Sequence, residues 1–297
     1  MVKMQLQRNK TLFNSLKLIK DKRSDEQKTF FSILVRMKNE ERMLPFFLKS
    51  LRSQVTNYSY EIIFLDSGST DASTEIVNKL DSSYVLYSID SVEFSFSKTC
   101  NFLVEQSRSP YCIFLSAHVE LIGDDFLQRL GEKIEGGARC GYFRQVVNHN
   151  NGYSLYDVLT LNKGFPEGMV PHIFEEKKCC NLRYSNAGSF FDTRIALETP
   201  FPDVIASEDY LWAIGILKKG FQIHYLPMLH IAHSHNETFN DITKRVKINR
   251  LALYGDKFVL KKLIVNFVGL FVMLAMSGYG FRKSYDFALA HAKGYLK

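Results

Sequence analysis

The chain has 297 residues, 46% hydrophobic, 13% aromatic and 23% charged, a balance that builds a packed core and excludes wholesale disorder. With 38 basic against 31 acidic residues the formal charge is +7, which suits phosphate-bearing ligands, nucleic acid or an anionic membrane surface without choosing among them. The basic residues are scattered and form no recognisable nucleic-acid module, so no nucleic-acid partner is expected. Cys100, Cys112, Cys140, Cys179 and Cys180 are odd in number and lack C-x-x-C spacing, so neither a disulfide framework nor a zinc knuckle is indicated, and a reducing cytosol is the natural compartment.

In chain order, residues 1–28 are a basic N-terminal segment without the continuous apolar core of a secretion signal. Leu12, Phe13, Leu16 and Ile19 fall near helical spacing among Lys10, Lys17, Lys20, Lys22 and Arg23. A helix lying on anionic lipid and a basic leader packed on the domain both fit that pattern. A β-rich stretch from Phe30 to Met37 is followed by a helical pattern from Glu41 to Gln54. A second strand, Glu61 to Leu65, ends at Asp66, and the turn after it leads into a helix that Thr70 or Asp71 could cap. Further elements are a strand at Tyr84 to Ser88, a helix at Lys98 to Gln106 and a buried strand at Tyr111 to Leu115. The alternation continues to about residue 146 and predicts an α/β fold with a mainly parallel central sheet. In such sheets ligands bind beyond the carboxyl ends of strands, where Asp66 and Ser116 to His118 fall.

From Val147 to Ser185 periodicity is weak, and loops over the sheet, on the acceptor side, are expected. A helix from Ser207 to Lys219 and short strands near Gln222 to Tyr225 and Leu229 to Ala232 precede the histidines. Leu263 to Phe281 is nearly all apolar and about the length of a membrane span. A helix in or on a membrane and a helix buried against the domain or a second subunit, hence a homo-oligomer, both remain open.

The segment EIIFLDSGSTDAS places one carboxylate at a strand end and another at a helix start, across a glycine-containing turn. Such a turn can present N–H groups to a phosphate, and Asp66 can accept from a base or ribose. Together with Asn39-Glu40, Gln54 and Asp66-Ser67-Gly68-Ser69-Thr70-Asp71, it resembles glycosyltransferase family 2, of the GT-A (nucleotide-diphospho-sugar transferase) fold, over roughly residues 30–246. The resemblance implies a catalytic domain at 29–247 and a helical C-terminal extension at 248–297. It implies that the Val35-Arg36-Met37 strand end lines the nucleotide pocket and that Asp66 contacts the base. Asn39, Glu41, Ser67, Gly68, Lys98, Asn101, Ser116, Ala117, Arg144 and Gln145 belong to the same expected nucleotide-sugar site.

Where that family carries a D-x-D motif, this chain has Ser116-Ala117-His118, as do some bacterial members that also show the Phe94-Ser95-Phe96 and Asn101 pattern. Imidazole can ligate a divalent ion, suiting Mn²⁺ better than Mg²⁺. SEDYLWAIGILKKG resembles the family's E-D pair at a helix start, which implies Asp209 as catalytic base beside Glu208. The two are adjacent, so on a helix they cannot share one face. HIAHSHNET resembles the late histidine of the metal and diphosphate site, implying His233 or His235 as a ligand with His118. Ser185 to Gly188, Lys244 and Arg245 resemble secondary segments, the cations offsetting charge on a leaving diphosphate.

The expected activity is inverting transfer from a UDP-, GDP- or dTDP-linked sugar to a glycan or lipid-linked glycan acceptor. The expected setting is bacterial surface polysaccharide synthesis at the cytoplasmic face of the inner membrane, with peripheral membrane contact. The alternative is an inactive sugar-nucleotide-binding or glycan-binding partner, motivated by the missing acidic motif. A nucleotidyltransferase would be expected to show a Gly-rich phosphate loop, which this sequence lacks.

Overall fold

A computed structural model describes residues 12–24, 28–168, 170–179, 181–235, 237–255 and 260–296. Cys180 and the part of the basic leader that includes Lys10 lie outside the described residues. The strands are β1 (Lys17–Asp21), β2 (Phe31–Met37), β3 (Tyr60–Asp66), β4 (Tyr84–Ser88), β5 (Tyr111–Ser116), β6 (Glu120–Leu121), β7 (Cys140–Val146), β8 (His172–Phe174), β9 (Gly188–Asp192) and β10 (Ile223–Ala232). The helices are α1 (Leu44–Arg52), α2 (Ser73–Asn78), α3 (Phe96–Gln106), α4 (Phe126–Glu135), α5 (Leu155–Gly164), α6 (Thr193–Glu198), α7 (Glu208–Lys218), α8 (Phe239–Tyr254), α9 (Leu260–Met276) and α10 (Phe281–Lys293).

All strands join one sheet in the order β1-β4-β3-β2-β5-β9-β7-β10-β6, with β8 on β10. The block β4-β3-β2-β5 is parallel, and its β-branched and aromatic strands are buried on both faces. Period-2 alternation sends Phe31, Ile33 and Val35 to the layer under α1 and α4, and Leu34, Ile63 and Leu65 to the layer under α3 and α7. β9 runs antiparallel to both β5 and β7, so β5 and β7 point the same way, and β10 is parallel to β7. The carboxyl ends of β2, β3, β5, β7 and β10 therefore share one edge. Here the site forms.

Three expectations change. Lys17–Asp21 is a strand paired antiparallel with β4 rather than a lipid-lying helix. Its anchor is Phe13, buried against Phe102 at 6.0 Å between ring centroids. The predicted loop at 147–185 contains α5, started by a capping box in which Ser154 and Asp157 each accept from the other's backbone N–H. Its inward face is closed by C-terminal helices distant in sequence, so the local pattern alone is weak. The two predicted short strands are one strand, β10, whose register slips between Leu226 and His230, where Pro227 has no N–H for the ladder.

Trp212 on α7 is 1% exposed, stacks on Phe201 at 4.9 Å and donates its Nε1–H to the Thr199 carbonyl at 2.6 Å. Trp212→Ala should lower unfolding free energy by about 3–5 kcal/mol through cavity formation and the orphaned carbonyl, read as a shifted urea midpoint. Among the described residues no helix is long and apolar enough to cross a membrane.

Candidate active site

Register explains the first half of the site. Met37 is opposite Asp66, and Arg36 is opposite Ser116, so three strand ends form one row. The loops beyond β2 and β3 interlock: Thr70 N–H donates to Asn39 Oδ1 at 2.8 Å, Asn39 N–H to Ser69 Oγ at 2.9 Å, and Ala72 N–H to Glu41 Oε2 at 2.9 Å. Asn39 sits at φ 55°, a left-handed conformation that Asn tolerates. Asp66 is 2% exposed and accepts from the N–H groups of Gly68 and Ser69, while Ser67 Oγ donates to the Met37 carbonyl. Gly68 holds φ +80°, and an added Cβ would lie 3.2 Å from the Ser91 nitrogen, so only glycine closes this turn.

Several expected contact residues are thus committed to building this loop pair. Asn39 and Glu41 staple its two loops. Asp71 accepts from Ser73 N–H and Glu41 N–H, and the residue at the helix cap is Ala72. Val35 and Ala117 are 0% exposed and present no side chain to a ligand, because an inward strand position and a packed turn bury them. Asn101, expected to touch the donor, instead clamps the Phe201 backbone, donating to its carbonyl and accepting from its N–H. Lys98 stands exposed on the first turn of α3, and Ser116, half-buried, donates its N–H to the Ala187 carbonyl.

Arg36 joins this row to the start of α7. Its guanidinium lies 3.2 Å from Glu208 Oε1 and stacks over the Phe96 ring at 5.2 Å. Glu208 is 4% exposed, so its charge is held by Arg36. Arg36→Ala would strand that carboxylate and should cost about 3 kcal/mol or more in denaturant unfolding. Asp209 points elsewhere, as adjacent helical residues must. Its carboxylate accepts from Asn186 N–H at 3.0 Å and Tyr210 N–H at 2.7 Å. Burial, reinforced by the neighbouring Glu208 charge, pushes the Asp209 carboxyl up to about 6 against these bonds. Ser207, just before the pair, holds φ 60°, strain of a kind that gathers at functional sites. No sequence pattern marks it.

The second half of the site is a histidine cluster. β6 pairs antiparallel with the end of β10, Ala232 opposite Glu120, which brings His118, two residues before β6, to the residues after β10. His118, His233 and His235 offer ligand atoms all within 4.8 Å of one another. The last two follow the strand rather than extend it. His118 Nδ1 lies 2.8 Å from Glu40 Oε1, His233 Nδ1 lies 2.9 Å from Gln145 Oε1, and the two Nε2 atoms face each other at 3.1 Å. Since a carboxylate and an amide oxygen only accept, each Nδ1 donates its proton, which leaves the two Nε2 atoms as the groups that face each other. Burial holds His233 well below the usual histidine range, which keeps a second proton off its Nε2. A divalent cation fits this donor set, and Glu40 and Gln145 are its orienting partners.

Of the expected pair Arg144 and Gln145, only Gln145 faces the cluster. Arg144 points to the other side of β7 and meets Glu167 at 3.1 Å. Arg245 is held by two bonds to Glu237, each 2.7 Å, and Lys244 is exposed. Glu40 was legible only as half of the Asn39-Glu40 pair, because its partner His118 lies 78 residues away. A cavity of about 570 Å³ opens beside His233 and His235, walled on its far side by α5, α9 and α10.

The profile described as Glycosyl transferase family 2 matches residues 32–194, more than half the chain. No curated protein matches. Among solved structures, the chain is similar to S. aureus TarS 1-349, at 14% identity and TM-score 0.57 over 88% of this chain and 90% of that one. The same protein in complex with UDP-GlcNAc matches at 15% identity and TM-score 0.57, over 88% and 79% of the two chains. Mannosyltransferase PcManGT from Pyrobaculum calidifontis, in complex with GDP-Man and Mn²⁺, matches at 13% identity and TM-score 0.55, over 97% and 76%. At these identities the likeness is one of fold, the GT-A fold.

Proposed function

Because the chain belongs to glycosyl transferase family 2 and is a glycosyltransferase, we propose that it moves a sugar from a nucleoside-diphosphate donor to an acceptor hydroxyl with inversion at the anomeric carbon. The observation that carries this reading is the shared strand edge. Asp209 bonds to Asn186, Ala187 bonds to Ser116, and His118 follows two residues later with His233 and His235 around it. A base and a cation-binding cluster are thus linked along one sheet edge.

Asp209 is the general base. With its carboxyl near 6, it is ionised at neutral pH yet basic enough to accept a proton. The acceptor oxygen attacks C1 as Asp209 takes its proton, the bond from C1 to the diphosphate oxygen breaks, and the nucleoside diphosphate leaves. Arg36 and Glu208 hold the α7 start so that Asp209 faces the acceptor. His118, His233 and His235 are the residues that would hold a divalent cation, and when bound it neutralises charge on the leaving diphosphate. An all-imidazole set suits Mn²⁺ better than Mg²⁺. The donor is UDP-, GDP- or dTDP-linked, a class that includes the UDP-GlcNAc and GDP-Man bound by the structural neighbours. The acceptor belongs to a bacterial surface polysaccharide, a capsule, O-antigen or related glycan, as the S-A-H resemblance implies.

The test is calorimetric titration with UDP, GDP, CMP and dTDP, each with and without Mn²⁺. Selective binding of one nucleotide, strengthened by Mn²⁺, is the expected outcome. Failure of all four to bind would overturn the reading.

A further inference from the structure

Helix α9 carries apolar side chains that the described fold leaves uncovered. Leu260, Ile264, Val268, Val272 and Met276 recur every fourth residue, hence along one side of the helix, and are 53%, 50%, 50%, 43% and 84% exposed. Phe281 and Tyr285 extend the row onto α10 at 74% and 44%. The opposite side is occupied, with Leu270 and Leu274 packed toward Tyr156 and Phe287. So continuous an apolar row marks an interaction surface.

Charge identifies the partner. Lys261 and Lys262 stand at one end of the row and Arg282 and Lys283 at the other, with no Asp or Glu from position 260 to 285. α9 has 17 residues, about 25 Å at 1.5 Å per residue, and no described helix can cross a bilayer. An apolar face bordered by cations is the signature of a helix lying in the headgroup region. We propose that this face docks the enzyme on an anionic lipid bilayer. A two-fold pairing of the same face between copies would gather eight cations with no acid from this segment to neutralise them, whereas an anionic leaflet supplies the counter-charge.

The same helix lines the cavity that reaches His233 and His235, through Val265, Asn266, Leu270 and Met273, and Val265 is also 59% exposed. One helix therefore faces both bilayer and site, so an acceptor anchored in lipid is presented to the histidines from the membrane side. The identity of the acceptor rests on the transferase reading; the docking does not.

Flotation of the full chain with vesicles of phosphatidylcholine, with and without phosphatidylglycerol, tests the proposal. The wild type should float only with the anionic vesicles and be released by high salt. Val268→Asp/Val272→Asp and Lys261→Glu/Arg282→Glu/Lys283→Glu should each lose about tenfold or more of that partition while keeping nucleotide binding and circular dichroism. Absent binding to anionic vesicles, or equal partition of wild type and both variants, overturns the proposal. So does a dimer in sedimentation velocity that Val268→Asp/Val272→Asp dissolves while no vesicle binding is seen, since the face then serves self-association. Failure of the transferase reading would appear separately, as vesicle binding without nucleotide binding.

Discussion

Asp209→Asn should reduce kcat by about 10² to 10⁴ while leaving nucleotide affinity within a few-fold, because it removes the proton acceptor and little else. The isosteric amide still offers Oδ1 to the N–H of Asn186 or Tyr210, so the fold of the α7 start is retained. The sign of the pH dependence follows from the raised carboxyl. A base must be unprotonated, and burial lifts Asp209 from the ordinary 3.8 to about 6. Wild-type kcat should be flat above roughly pH 7 and fall about tenfold per unit below pH 6. An ordinary carboxylate would keep its activity down to about pH 4. Initial rates across pH 4.5–8, with the Asn variant as the flat reference, separate these cases. A wild-type profile unchanged down to pH 5, or an Asn variant at wild-type rate, removes Asp209 from the role.

His118→Ala should abolish the strengthening of nucleotide binding by Mn²⁺ and lower turnover by on the order of 10² or more, since it deletes one of three convergent donors. Glu40→Gln makes the finer test. The amide can present its NH₂ to His118 Nδ1 and stabilise the other tautomer, in which Nε2 carries the proton and cannot ligate. A loss of about 10- to 100-fold in apparent Mn²⁺ affinity is expected, with saturating Mn²⁺ restoring much of the rate. His118→Ala should show no such restoration. Titration of activity against Mn²⁺ for the two variants reads the difference, and identical curves for wild type and Glu40→Gln would exclude an orienting role for Glu40.

The strands β2 to β5 and the helices between them, the turn after Asp66 and the helix at Glu208 were legible in the amino-acid sequence, because each is specified within a few residues. Strands buried on both faces read as apolar β-branched runs, Gly68 supplies the φ that its turn needs, and α7 is apolar beyond its first turn. The chemistry of the residue types could be read for the same reason: carboxylates at strand and helix ends, histidines after a late strand.

Tertiary structure decided which of these groups meet and what each is free to do. β9 inserts antiparallel between β5 and β7 and turns separate strand ends toward one edge, and β6 carries His118 to His233 across 115 residues. No local pattern encodes a pairing at that separation. The commitments of Asn101 to Phe201, Arg36 to Glu208 and Glu40 to His118 are likewise contacts between distant segments. Whether a polar side chain is free for a ligand or spent on the fold depends on such partners. The C-terminal segment shows the same division. Its apolar character was plain from composition, but only packing of Leu270 and Leu274 against α5 and α10 separated a covered side from an exposed one, because burial is a property of neighbours rather than of residues.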